Sequence, residues 1–118
     1  MNISVFLDGT WDRRVDNTDV VQLASRVPPT HPSGLRQLCH YDSGVGTTRR
    51  DKYGGGAFGW GLDANINEAY RFIAGAYGDA DDQIFICGFS RGAFTARSLA
   101  GMIAHCGLVH PRVMSFTN

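Results

Sequence analysis

The chain has 118 residues, which allows one domain at most, since a domain usually takes about 100 to 200 residues. Its 43% hydrophobic and 19% charged residues fall near globular averages and exclude a disordered or fibrous chain. Eleven basic residues balance eleven acidic ones, and Arg49-Arg50 is too short to form a basic patch, so nothing here attracts nucleic acid.

The N-terminal stretch MNISVFLDGT lacks the basic start and the long apolar segment of a signal peptide. No run approaches the roughly 20 apolar residues that span a bilayer, so any membrane contact is peripheral. The three cysteines, Cys39, Cys87 and Cys106, form no CxxC pair and are expected as reduced core residues, with neither a zinc site nor a disulfide framework.

Ile3 to Leu7 reads as a short buried strand that ends at the turn Asp8-Gly9-Thr10. Asn17-Thr18-Asp19 caps a short helix through Val20, Val21, Leu23 and Ala24, which stops before Pro28-Pro29 because proline cannot donate to a helix. Leu35 to Tyr41 is a second strand candidate, ending in Asp42-Ser43-Gly44. The tract Gly54 to Gly61 reads as a glycine-rich loop that leads into a helix. Asn65 and Glu68 stand at capping-box spacing there, Asp63 is an alternative cap, and the apolar stripe is Ile66, Ala69, Tyr70, Ile73 and Tyr77.

Gly78 to Asp82 is a turn, and Gln83 to Gly88 is a continuous apolar run of the kind buried on both faces of a parallel sheet. A last helix runs from about Arg91 to His105 and ends near Gly107, a residue suited to a left-handed C-terminal position. The order β, α, β, α, β, α favours a single α/β domain with a three-stranded parallel sheet flanked by helices.

Gly88-Phe89-Ser90-Arg91-Gly92 is the motif with the most chemistry in it. A Gly-x-Ser-x-Gly string alone is a weak signal, but this one follows an apolar strand and opens a helix, the context that lifts a serine above a sheet at a strained turn. Ser90 is therefore the candidate nucleophile. The N–H of Arg91, at a helix N-terminus, is the candidate first oxyanion donor, and Gly9 or Thr10 is the candidate second. The structural alternative is that Ser90 only caps the helix while Gly88 and Gly92 serve packing.

A serine needs a histidine base oriented by a carboxylate, and in this type of fold both follow the nucleophile in sequence. After Ser90 there is no Asp or Glu, and the later histidines are His105 and His110. At about 1.5 Å rise per residue, His105 should stand some 20 Å from Ser90, and His110 lies beyond it.

Other features compete for attention. Phe6-Leu7-Asp8-Gly9-Thr10 invites comparison with aspartyl-nucleophile phosphatases, but Phe6 occupies the nucleophile position and cannot attack phosphorus; Asp8 is expected to hold the turn by accepting backbone N–H bonds. Asp8 and Asp42, both at strand ends, could share a hard cation, although no spacing signal supports a metal. The Gly54 to Gly61 tract matches neither the P-loop nor the dinucleotide fingerprint, so no cofactor is expected. It reads as a lid or loop, with Phe58 and Trp60 either contacting an acyl chain or packing the loop down. Arg91 could meet a lipid phosphate, and Arg97 is expected to pair with Asp8 or Asp42.

Together GFSRGAFTAR, FLDGTW, YDSGVGT and GGGAFGWGLDANINEAYRFI resemble the α/β-hydrolase domain family that includes type VI secretion phospholipase effectors, over about Val5 to Val109. The resemblance implies a serine hydrolase acting on lipid esters, with Ser90 matching the nucleophile and Asp8-Gly9-Thr10 the first-strand motif. It also implies synthesis in the cytoplasm and secretion by a type VI system without a signal peptide. The family's acid and base have no match here. Residues 1–118 are accordingly expected to form the N-terminal portion of a larger catalytic domain, or else a truncated, vestigial module without catalysis.

Overall fold

The computed structural model describes residues 1–9, 18–44 and 57–110, with backbone alone for 57–63. Three strands, β1 (Asn2–Leu7), β2 (Gln37–Asp42) and β3 (Gln83–Gly88), alternate with helices α1 (Asp19–Ser25), α2 (Ala57–Ala76) and α3 (Arg91–Cys106). The sheet is parallel, in the order β2-β1-β3. This is the α/β architecture that the alternating pattern favours.

Strand alternation divides the roles of β1. Ile3, Val5 and Leu7 face one side and join Ala69 and Ile73 of α2 and Ala96 and Leu99 of α3 in the core. Ser4 and Phe6 face the other side and are also buried. There α1 covers β1 and β2, with Val21 and Ala24 next to Cys39 and Tyr41, the register partners of Ser4 and Phe6. Complete burial of an Ile or Leu side chain contributes roughly 1.5–3 kcal/mol, so the fully buried Ile3, Ile73 and Leu99 anchor both helices on the central strand.

β3 departs from the expectation of burial on both faces. Ile84 and Ile86 pack towards the core, but Phe85 is 47% exposed. The reason is position: β1 takes the centre, β3 lies at the edge of the described sheet, and α1 covers the other two strands.

Thr18 caps α1 as its sequence suggests, its hydroxyl accepting the N–H of Val21 at 3.2 Å. The start of α2 differs from the capping-box reading. Asn65, Glu68 and Asp63 all lie inside a helix that begins at Ala57, and Gly59 and Gly61 are helical rather than loop. A helical glycine costs only about 1 kcal/mol relative to alanine, which does not forbid it. The stripe itself is as read: Ala69 and Ile73 are buried, with Ile66, Tyr70 and Tyr77 packed around them. At the end of α3, Gly107 takes φ 72° and ψ −169°, an extended conformation with positive φ rather than the left-handed helical one. The cysteines are unpaired, and Cys39 and Cys106 are exposed rather than in the core.

Candidate functional site

Because β1 and β3 are parallel neighbours with Leu7 opposite Gly88, the turns that follow them emerge side by side at the C-terminal edge of the sheet. Open α/β sheets bind ligands at this edge. The ladder extends one step past β3, where the N–H of Phe89 donates to the Leu7 carbonyl at 3.0 Å. The chain then turns sharply into α3, with the N–H of Gly92 donating to the Phe89 carbonyl at 2.9 Å and that of Ala93 to the Ser90 carbonyl at 3.0 Å.

Ser90 forms the corner. Its φ of 57° and ψ of −124° make it the one non-glycine residue with positive φ among the described residues. Such a conformation costs of order 1–3 kcal/mol. The side chain makes no capping hydrogen bond to α3 and the residue is exposed, which removes the reading of Ser90 as a simple helix cap.

The flanking glycines explain how so tight a corner fits. A β-carbon on Gly88 would run into the Gly92 carbonyl and stand 2.8 Å from the Ala93 Cα. One on Gly92 would collide with the Leu7 carbonyl oxygen and lie 2.6 Å from that of Asp8. The first turn of α3 thus rests on the end of β1, backbone against backbone.

Asp8 lies just past β1 and is 2% exposed. Its N–H donates to the Asp42 carbonyl at 2.9 Å. Its Oδ2 accepts the Thr18 hydroxyl at 2.7 Å and the Tyr41 hydroxyl at 2.6 Å, while Oδ1 is buried without a donor among the described residues. Among the described residues Asp8 is held by side-chain hydroxyls and by no backbone N–H, Thr10 and the turn beyond it lying outside them. Asp42 does accept a backbone N–H, its Oδ1 taking that of Gly44 at 2.8 Å.

Asp8 and Asp42 leave the sheet on alternate faces. Asp8 reaches Tyr41, the partner of Phe6, whereas Asp42 is the partner of Leu7 on the alternate face. Among the described residues no group of three or more His, Cys, Asp or Glu side chains is gathered as a metal site. Arg97 does not pair with either carboxylate: it is exposed on α3 and makes no ion pair among the described residues, while Asp8 is buried beneath the sheet edge. Arg97 instead lines a shallow depression with Ala93, Phe94 and Ser98, one turn beyond Ser90. Arg91 is exposed at the start of α3.

Gly9 is buried beside Gly44, at which a β-carbon would stand 2.5 Å from the Gly9 carbonyl oxygen. Thr10, the Val45 to Thr47 part of the second motif, Gly54 to Gly56 and the side chains of Phe58 and Trp60 lie outside the described residues.

No described histidine reaches the serine. His105 is exposed in the last turn of α3, and the segment beyond is tied to α2, where the Tyr70 hydroxyl donates to the Gly107 carbonyl at 2.9 Å and accepts the Val109 N–H at 2.9 Å. His40 stacks on Phe72 with ring centroids 5.1 Å apart, two strands away from β3, which is about 10 Å across the sheet. Thr18 and Tyr41 are the polar partners that sequence reasoning missed. Neither sits in a motif that marks it as a donor to a residue elsewhere in the chain.

The sequence profile of the family described as T6SS, phospholipase effector Tle1-like, catalytic domain matches residues 1–118. A relative in Saccharomyces cerevisiae, the uncharacterized protein YEL023C, is 36% identical over 125 aligned residues. The match covers 92% of this chain but only 18% of that relative. No solved structure matches the chain. Among the described residues no helix is long and apolar enough to cross a membrane.

Proposed function

Since the chain belongs to the family of type VI secretion Tle1-like phospholipase effector catalytic domains, we propose that it carries the nucleophile half of a serine hydrolase that cleaves carboxylic esters, with phospholipid acyl esters as substrates. The observation that carries this reading is the strained backbone of Ser90, an exposed hydroxyl at the start of α3 at the sheet edge, between two glycines that admit no side chain.

In this reading the Ser90 hydroxyl attacks the ester carbonyl and its proton passes to a histidine base. The resulting oxyanion is held by the N–H of Arg91, where the positive end of the α3 dipole adds to the field, and by a second N–H from Gly9 or Thr10. Collapse expels the alcohol and leaves an acyl-enzyme, which water then hydrolyses. The base and its carboxylate partner come from outside these residues, in keeping with residues 1–118 as the N-terminal portion of a larger hydrolase domain. The 18% coverage of the yeast relative supports that division. Contact with lipid is peripheral, and the family's description supports delivery by a type VI system.

A fluorophosphonate probe tests the assignment, because it bonds only to an activated serine. In the complete natural chain containing these residues, the probe is expected on Ser90, and Ser90→Ala is expected to abolish ester hydrolysis; turnover by that variant would overturn the reading. The remoteness of His105 favours a second reading for residues 1–118 alone, a non-catalytic module. Labelling of this segment by itself would refute it.

A further inference from the structure

We infer that Asp8 is a positioning residue for the serine corner: its buried carboxylate, held by Thr18 and Tyr41, fixes the backbone on which the first turn of α3 rests. This inference depends on Ser90 being the nucleophile and adds to it the device that sets its place.

The Asp8-Gly9 peptide is gripped on two sides. On the α3 side the Asp8 carbonyl oxygen would lie 2.6 Å from a β-carbon on Gly92, two residues after Ser90. On the β2 side the Gly9 carbonyl oxygen would lie 2.5 Å, and that of Asp8 2.8 Å, from one on Gly44. The peptide therefore cannot shift towards either neighbour without moving it. What stops it from rotating is the carboxylate. Thr18, at the start of α1, and Tyr41, on β2, both donate to Oδ2, at 2.7 and 2.6 Å.

Among the described residues Oδ1 is buried without a donor and these two hydroxyls are the side-chain partners that hold the charge, so loss of either leaves it less compensated. The anchor thus draws on α1, β1 and β2, whereas the serine belongs to β3 and α3. Packing at Gly92 joins the two halves.

A group that only supported the fold would, when removed, lower the number of working molecules. A positioning group lowers the rate of each working molecule, because a displacement near 1 Å at the reacting centre can cost about a hundredfold. The measurement is therefore kcat per active site in the complete natural chain, with a soluble short-chain p-nitrophenyl ester as substrate and Ser90 sites counted by fluorophosphonate titration.

Tyr41→Phe keeps the ring and deletes the donor, and Asp8→Asn keeps the shape and deletes the charge. Each is expected to lower kcat per titrated site roughly ten- to a hundredfold with KM close to the parent value. Thr18→Val should do the same, and Thr18→Ser, which restores a hydroxyl, should recover the rate. Unchanged kcat per site in Tyr41→Phe, or a change confined to KM, would overturn the inference. If Asp8→Asn fails to fold, the Tyr41 and Thr18 variants decide alone. Turnover by Ser90→Ala would instead remove the serine reading and this inference with it, so the two failures are told apart.

Discussion

Gly92 lies so close beneath Asp8 that a β-carbon there would stand 2.6 Å from the Asp8 carbonyl oxygen and closer still to that of Leu7. Both oxygens belong to the rigid end of the central strand, so a side chain at Gly92 must push α3 away. Gly92→Ala is expected to destabilise the fold by about 1–3 kcal/mol, the usual cost of forced overpacking. Gly101→Ala, on the same helix with open space around it, should instead stabilise by about 0.5–1 kcal/mol because alanine is the better helix former. Chemical denaturation of the two variants beside the parent checks both signs.

Ser90 has the opposite liability. Its positive φ of 57° costs a serine more than it would cost a glycine. Ser90→Gly is expected to raise stability by about 1 kcal/mol, read as a melting temperature some 3–6 °C higher, while abolishing fluorophosphonate labelling. A variant no more stable than the parent would mean that the corner is not strained.

Asp82 fastens the turn before β3. Its carboxylate is held below the ordinary aspartate value, first by the N–H of Gly78, then by the Met1 ammonium at 2.9 Å, and also by the N–H of Asp79. A depressed folded-state value means that the ionised group contributes stability above the unfolded value near 3.9, and that this contribution is lost as pH falls through the lower folded value. Asp82→Asn should therefore be less stable than the parent at neutral pH, with the gap closing as pH falls below the ordinary aspartate value. Urea melts at stepped pH would show a constant gap if the charge were irrelevant.

Cys39 is exposed as a residue, but partial burial beside Val21 and Ala24 of α1 pushes its thiol up from its usual value. Less thiolate at neutral to mildly alkaline pH means slower alkylation. Iodoacetamide should react with Cys39 more slowly in the native chain than in the same chain unfolded in urea, followed by peptide mass spectrometry. Equal rates would show that burial has no grip on the thiol.

The strands, the Thr18 cap and the serine corner were legible because each rests on local pattern: an apolar run, a capping residue, two glycines around a serine. Where α2 begins was not legible. Gly59 and Gly61 read as loop formers, yet the helix passes through both, and Asn65 with Glu68 imitates a cap while sitting inside it. The edge position of β3 was hidden for another reason, since an apolar run does not say how many of its faces find cover. Phe85 shows that one does not. Asp8 was recognised as a structural residue, but the Thr18 and Tyr41 hydroxyls that hold it were not foreseen. Thr18 and Tyr41 are 10 and 33 residues away, and only the β2-β1 register brings Tyr41 alongside.

The central place of β1 carries a consequence for synthesis. Of the three strands it is made first, with β2 next and β3 last; Met1 bonds to Asp82, 81 residues away. Until β2 emerges Ile3, Val5, Phe6 and Leu7 have no strand to pair with, and until β3 follows the other edge of β1 stays open. Sheets built from such distant pairings fold slowly because loop closure comes before any reward. The nascent chain therefore displays its most apolar strand for the longest time, and that makes it a natural client for a chaperone that binds short extended segments.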